Sequence, residues 1–140
     1  MRRVRGCMKR AFRQAIKKCQ RNLYVVPSAI VLLAAPDAAL RRSLVFALES
    51  DGFTVHAHGQ AIDAFASHQA REAVCAVIDD EAVGDWASAS RQFDEFGRPV
   101  VLLVGSFRAV PVPPLARLVM KPFLGEPLIE AVRNAVASAV

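Results

Sequence analysis

The stretch "AIVLLAAPDAALRRSLVFALESDGFTVHAH", Ala29 to His58, changes its hydrophobic period twice. Ala29 to Ala35 is a short continuous apolar run, the pattern of a strand buried on both faces. Leu40, Leu44 and Leu48 then recur four apart, with Pro36 and Asp37 at the start and Gly52 just past the end, which predicts a capped helix. "FTVHAH" alternates between apolar and polar residues and predicts a second strand. Strand, helix and strand in so short a length make a right-handed crossover between parallel strands.

The same order continues to the end of the chain. "QAIDAFASHQAREA" (60–73) predicts a helix with Ile62, Phe65 and Ala66 on one face, and "VCAVI" (74–78) a third strand. "DWASASRQFDEF" (85–96) predicts a helix, "PVVLLVG" (99–105) a fourth strand and "ARLVM" (116–120) a fifth. A last helix follows in "GEPLIEAVRNAVASAV" (125–140), with Leu128, Val132 and Val136 four apart. Alternating short strands and helices imply an α/β fold, a doubly wound parallel sheet with helices on both faces. The link between strands four and five breaks the pattern. Pro111, Pro113 and Pro114 in "SFRAVPVPPL" (106–115) forbid a regular helix through its second half, so the crossover is expected to be extended, with at most one helical turn near Ser106 to Ala109. In doubly wound folds the chemistry lies at the carboxyl ends of the strands. Ala34 to Asp37 and Ile78 to Glu81 are therefore the segments to inspect.

Bulk properties narrow the function. At 140 residues, 54% hydrophobic and 22% charged, the chain has the size and composition of one compact domain, and no apolar run reaches the roughly 18 residues needed to span a bilayer. No apolar core of a secretory signal follows the basic N-terminus, so the expected location is cytoplasmic. Cys7, Cys19 and Cys75 lack the C-x-x-C spacing, and their odd number fits reduced, inert thiols. The net charge of +5 divides unevenly: residues 1–27 carry nine basic residues and no acid, which leaves 9 − 13 = −4 for residues 28–140. The expected organisation is a basic extension over 1–27 and a domain over 28–140. Val4, Met8, Phe12, Ile16, Cys19 and Leu23 recur at helical spacing in the extension, as in an amphipathic helix that would bind an anionic membrane or nucleic acid. A frayed tail, or translation starting at Met8, is the plainer reading.

The order of elements from Ala29 to Val140, Asp79 at the end of the third strand, Gly84 five residues on, and "KPF" (121–123) after the fifth strand resemble the receiver domain of two-component response regulators, in a degenerate, single-domain, CheY-like form. The resemblance implies a flavodoxin-like sheet in order 2-1-3-4-5, here with helix four shortened or missing. It implies that Asp79 is the phosphoacceptor, that Lys121 contacts the phosphate, and that Gly84 and a cis Pro122 shape the adjoining turns. It also implies Mg²⁺ held by an acidic pair after strand one and a hydroxyl residue ending strand four. An oxygen-bound divalent ion and an ammonium offset the charge of an attacking carboxylate and its phosphoryl donor.

This sequence departs from that pattern. The acidic pair falls on Ala34 and Ala35 or on Ala35 and Pro36, and the hydroxyl position on Val104. Ser106 would replace it only if the strand ran two residues longer. Leu118 stands where the family commonly has an aromatic. Asp37, the nearest carboxylate to strand one, reads as a helix N-cap. Asp79, Asp80 and Glu81 are candidate metal ligands, yet neighbours on an extended chain point in opposite directions, so at most Asp79 and Glu81 converge. Without the strand-one acids the favoured reading is a solvated acidic loop. His56 and His58 share a face of strand two and read as surface histidines. His68 needs no special role, Trp86 is expected to pack at the base of the third helix, and Cys75 belongs to the core.

The leading expectation is thus a stand-alone, non-enzymatic interaction module in signal transduction that works without phosphorylation or a cofactor. Its partners would be a histidine kinase or another signalling protein, and a homodimer is also open. Two alternatives stand: a functional phosphoacceptor at Asp79 with Mg²⁺ held by Asp79 and Asp80 or Glu81, and an anion-binding adaptor anchored to membrane or nucleic acid by residues 1–27.

Overall fold

The computed structural model describes residues 29–105, 115–121 and 126–139. In chain order the elements are β1 (Ile30–Ala34), α1 (Ala38–Ser50), β2 (Thr54–His58), α2 (Ala61–Ala66), β3 (Cys75–Asp79), α3 (Trp86–Phe96), β4 (Val100–Val104), β5 (Ala116–Met120) and α4 (Glu126–Ala139). Short 3₁₀ turns cover His68–Arg71 and Asp80–Ala82. All strand pairs are parallel and the sheet order is β2-β1-β3-β4-β5, as in the flavodoxin-like class. The chain runs outward from β1 to β2 and then returns to place β3 on the other side of β1. That reversal opens a crevice at the carboxyl ends of β1 and β3.

The strands are central because they are apolar on both faces. Val31, Leu33, Val77, Val101 and Leu103 pack with Leu44 and Leu48 of α1 and Leu128 and Val132 of α4. Leu32, Ala76, Ile78 and Leu102 face α2 and α3, where Phe93 and Phe96 are buried. Phe65 meets the rings of Phe93 and Phe96 at centroid separations of 5.4 and 5.3 Å. Burial of the Leu and Ile side chains stabilises the fold by roughly 1.5–3 kcal/mol each.

Local chemistry sets the helix ends. The Asp37 carboxylate accepts the Leu40 N–H at 3.0 Å and starts α1, the N-cap role read from the sequence. Asp85 caps α3 through the N–H groups of Ala87 and Ser88 at 3.2 and 3.3 Å. Gly97 closes α3 at φ 65°, a left-handed backbone that favours glycine.

Two local expectations change. The sheet-facing residues of α2 are Ala61 and Ala64, with Phe65 partly buried, whereas Ile62 is 59% exposed and Ala66 is exposed too. The helix ends at Ala66, where the Ser67 Oγ donates to the Ala64 carbonyl at 2.6 Å, and the longer periodic face read from the sequence does not form. His56 and His58 are half-buried rather than on the surface, because each is in register with a residue of the α2/α3 face, Leu32 and Ala34. His58 Nε2 is buried and finds no hydrogen-bond partner. Cys75 is buried, and burial pushes its thiol up to about 12, which makes it inert. The extended crossover expected over 106–114, the basic segment 1–27 and the Pro122 turn lie outside the described residues.

Candidate functional site

The crevice is built from the ends of three neighbouring strands. β3 stays extended through Asp79 and then tightens into the 3₁₀ turn Asp80–Ala82, with Asp79 Oδ1 accepting the Glu81 N–H at 3.1 Å. The turn replaces the strand's alternation, so consecutive side chains no longer point apart. Lys121, the first residue after β5, extends its ammonium among all three acids. Nζ lies 2.8 Å from Asp79 Oδ1, 3.0 Å from Asp80 Oδ1 and 3.4 Å from Glu81 Oε2. The expectation that at most Asp79 and Glu81 converge is therefore corrected, and the acids are not a solvated loop. Asp79 and Asp80 are 0% and 1% exposed; Glu81 alone faces solvent.

Burial, the largest influence, pushes the Asp79 carboxyl above the usual carboxylate range, and the neighbouring Asp80 adds to this against the opposing pull of Lys121. Asp79 Oδ2 is buried and accepts no hydrogen bond, so charge on that oxygen is left uncompensated. Burial would also raise Asp80, but hydrogen bonds from Asp79, Lys121 and the Gly105 N–H outweigh it and hold Asp80 below its usual range. Burial lowers Lys121, yet the two aspartates hold it well above the ordinary lysine value. The ammonium is thus fixed as a cation.

The β1 end has different chemistry. Ala34 and Ala35 are fully buried and offer no side-chain oxygen. The Arg41 guanidinium donates to the Ala35 carbonyl at 2.7 Å and to the Pro36 carbonyl at 3.3 Å, placing a second cation where the resemblance calls for acids. Val104, at the hydroxyl position, is buried and apolar. The carboxylate oxygens of Asp79, Asp80 and Glu81 lie within 4.8 Å of one another, but Lys121 Nζ sits at hydrogen-bonding distance from each. A divalent cation among these three acids would share the site with that ammonium, and at the end of β1 it would meet Ala34 and Ala35 in place of a carboxylate pair. The residues present therefore do not fit Mg²⁺.

Gly84 is exposed, a Cβ there would meet nothing within 4 Å, and its φ is not positive, so the position imposes no steric need for glycine. Sequence reasoning missed two participants. Arg41 lies one turn into a helix and acts through backbone carbonyls six and five residues earlier, which no motif signals. Gly105 acts through its backbone N–H, which donates to Asp80 Oδ2 at 3.2 Å and is invisible to side-chain pattern.

No family profile matches the chain. It is 33% identical over 110 residues to the transcriptional regulator protein FixT of Rhizobium meliloti (strain 1021), covering 78% of this chain and 94% of FixT. Among solved structures it is similar to a response regulator receiver protein from Sinorhizobium medicae WSM419, with a TM-score of 0.66 and 23% identity over 81% of this chain and 98% of that one. A receiver domain protein from Clostridium thermocellum gives a TM-score of 0.68 at 15% identity over 79% and 95%. Full-length FixJ from B. japonicum gives 0.62 at 23% identity, covering 81% of this chain and 60% of FixJ. The structural likenesses carry the fold, that of response regulator receiver domains, and the FixT likeness carries the family: the chain belongs to the family of FixT.

Proposed function

We propose that this receiver acts as a non-catalytic protein-interaction module that needs neither phosphorylation of Asp79 nor a metal. One observation carries the reading: the centre of the acidic cluster is taken by the Lys121 ammonium, at 2.8, 3.0 and 3.4 Å from the three carboxylates, while the β1 end presents two alanines and an arginine. A phosphoryl group arriving at Asp79 would meet Asp80 and Glu81 with one ammonium, already shared among three carboxylates, to offset their charge. The partner class is a histidine kinase or another signalling protein in the cytoplasm, and the likeness to FixT, a transcriptional regulator protein, supports a contact that acts on gene expression. Among the described residues no helix is long and apolar enough to cross a membrane.

The alternative of a functional phosphoacceptor draws support from the Asp79–Lys121 contact, which places the acceptor and the ammonium as phosphotransfer would need. Titration with beryllofluoride, an acyl-phosphate analogue, and millimolar Mg²⁺ separates the two. The expected result is no amide chemical-shift change centred on Asp79, Gly105 and Lys121. Saturable changes at those three residues would overturn the proposal.

A further inference from the structure

We infer that Asp80 is a built-in clamp, whose single carboxylate ties the end of β3 to the ends of β4 and β5 and holds the three in one arrangement with no ligand in the crevice. The inference rests on the reading that Asp79 works unmodified. Of the three acids, Asp80 alone reaches both neighbouring strand ends. Its Oδ1 accepts from Lys121 Nζ at 3.0 Å and its Oδ2 from the Gly105 N–H at 3.2 Å. Gly105 is the first residue after β4, and Lys121 the first after β5. Asp79, in contrast, spends Oδ1 on Lys121 and on the Glu81 N–H within its own turn. Glu81 is 66% exposed, and its contact with Lys121 is the longest of the three.

The clamp is buried, charged on both sides of one contact, and continuous with the sheet. Asp80 is 1% exposed, and charge-assisted hydrogen bonds strengthen where water is excluded. The Lys121 N–H donates to the Val104 carbonyl at 2.9 Å, so the β4–β5 ladder runs on to the residue that Asp80 holds. Asp80 thus fixes by an internal anion two strand ends that lie next to the half-exposed Leu118 and Met120 of β5. That edge is presented in one form without an effector.

Amide hydrogen exchange on the full chain tests this, with neither phosphoryl donor nor divalent ion present, in wild type, Asp80→Ala and Asp80→Asn. The wild-type Gly105 amide is expected to be protected. In Asp80→Ala its protection should fall at least tenfold while amides in β1 and β2 keep theirs. In Asp80→Asn, whose side-chain oxygen still accepts from Gly105, protection should lie between the two. Unchanged Gly105 exchange in Asp80→Ala, an unprotected Gly105 in wild type, or an equal loss over the whole sheet in both variants would overturn the clamp. Because no donor is added, such a result leaves the beryllofluoride titration to decide the phosphorylation question separately.

Discussion

Two isosteric substitutions at adjacent residues should move stability in opposite directions. Asp79 and Asp80 are both buried, yet Asp79 is pushed above the usual carboxylate range, first by burial, and Asp80 is held below it, where hydrogen bonds overcome burial. A raised folded-state value means that the charged form opposes folding, so the stabilising contribution of Asp79 is present at low pH and is lost as pH rises through that value. At pH 7 Asp79→Asn removes a buried charge at nearly constant shape, and the variant should be more stable than wild type by about 1 kcal/mol. For Asp80 the sign reverses. Asp80→Asn loses the charge on the acceptor of the Lys121 and Gly105 hydrogen bonds, each in the class worth roughly 1.5–3 kcal/mol, and the amide recovers part of them. A net loss of about 2 kcal/mol is expected. The two variants should then differ by about 3 kcal/mol, which at roughly 2–4 °C per kcal/mol is about 6–12 °C in Tm. Urea and thermal unfolding at pH 7, followed by circular dichroism, read the difference directly. If Asp79→Asn loses as much as Asp80→Asn, the Asp79–Lys121 ion pair outweighs burial and the assignment of charge within the cluster is wrong.

Other perturbations reach different parts of the structure. Lys121→Ala leaves three convergent carboxylates without their cation and should cost about 2–4 kcal/mol; millimolar Ca²⁺ should raise the Tm of that variant and leave wild type unchanged, and equal responses would refute the role given to the ammonium. Asp37, Asp80 and Asp85 are all held below 3.8, so the stability they supply is present above that pH and is lost as pH falls below it; Asp85→Asn should flatten the acid limb of a stability–pH profile. Gly84→Ala should change stability by no more than about 0.5 kcal/mol, whereas Gly97→Ala, at φ 65°, should cost about 1–2 kcal/mol in the same denaturation assay.

The fold is legible in the sequence because period and punctuation are local. The apolar run that holds β1, the Leu40–Leu44–Leu48 spacing, the Asp37 N-cap and Gly52 just past the end of α1 are each local features, and each element forms where the pattern sets it. The short helix α2 is the counter-example. A six-residue helix is too brief for a periodic face to average out, and Ser67 ends it before Ala70 joins the same turn. The site is less legible because its decisive contacts join residues 25 to 42 positions apart, Asp80 with Gly105 and Asp79 with Lys121. The convergence of the acids depended on a backbone event, the 3₁₀ turn after Asp79, which neither residue type nor spacing announces.

The contact between Lys121 and the acids at the end of β3 has a physical reason that does not depend on phosphotransfer. Once the chain buries Asp79 and Asp80 at a strand end, a cation beside them is needed for folding itself, since an unpaired buried carboxylate costs several kcal/mol. Lys121 contacts both aspartates; Asp80 is held below its usual range, while at Asp79 burial still outweighs the ammonium. Nothing comparable holds alanines at the end of β1 or a valine at the end of β4, where apolar residues are at home in a buried position. The contact of Asp79 and Asp80 with Lys121 is thus what stability alone would favour, whereas the strand-end positions where the resemblance implies further phosphoryl-binding groups hold Ala34, Ala35 and Val104.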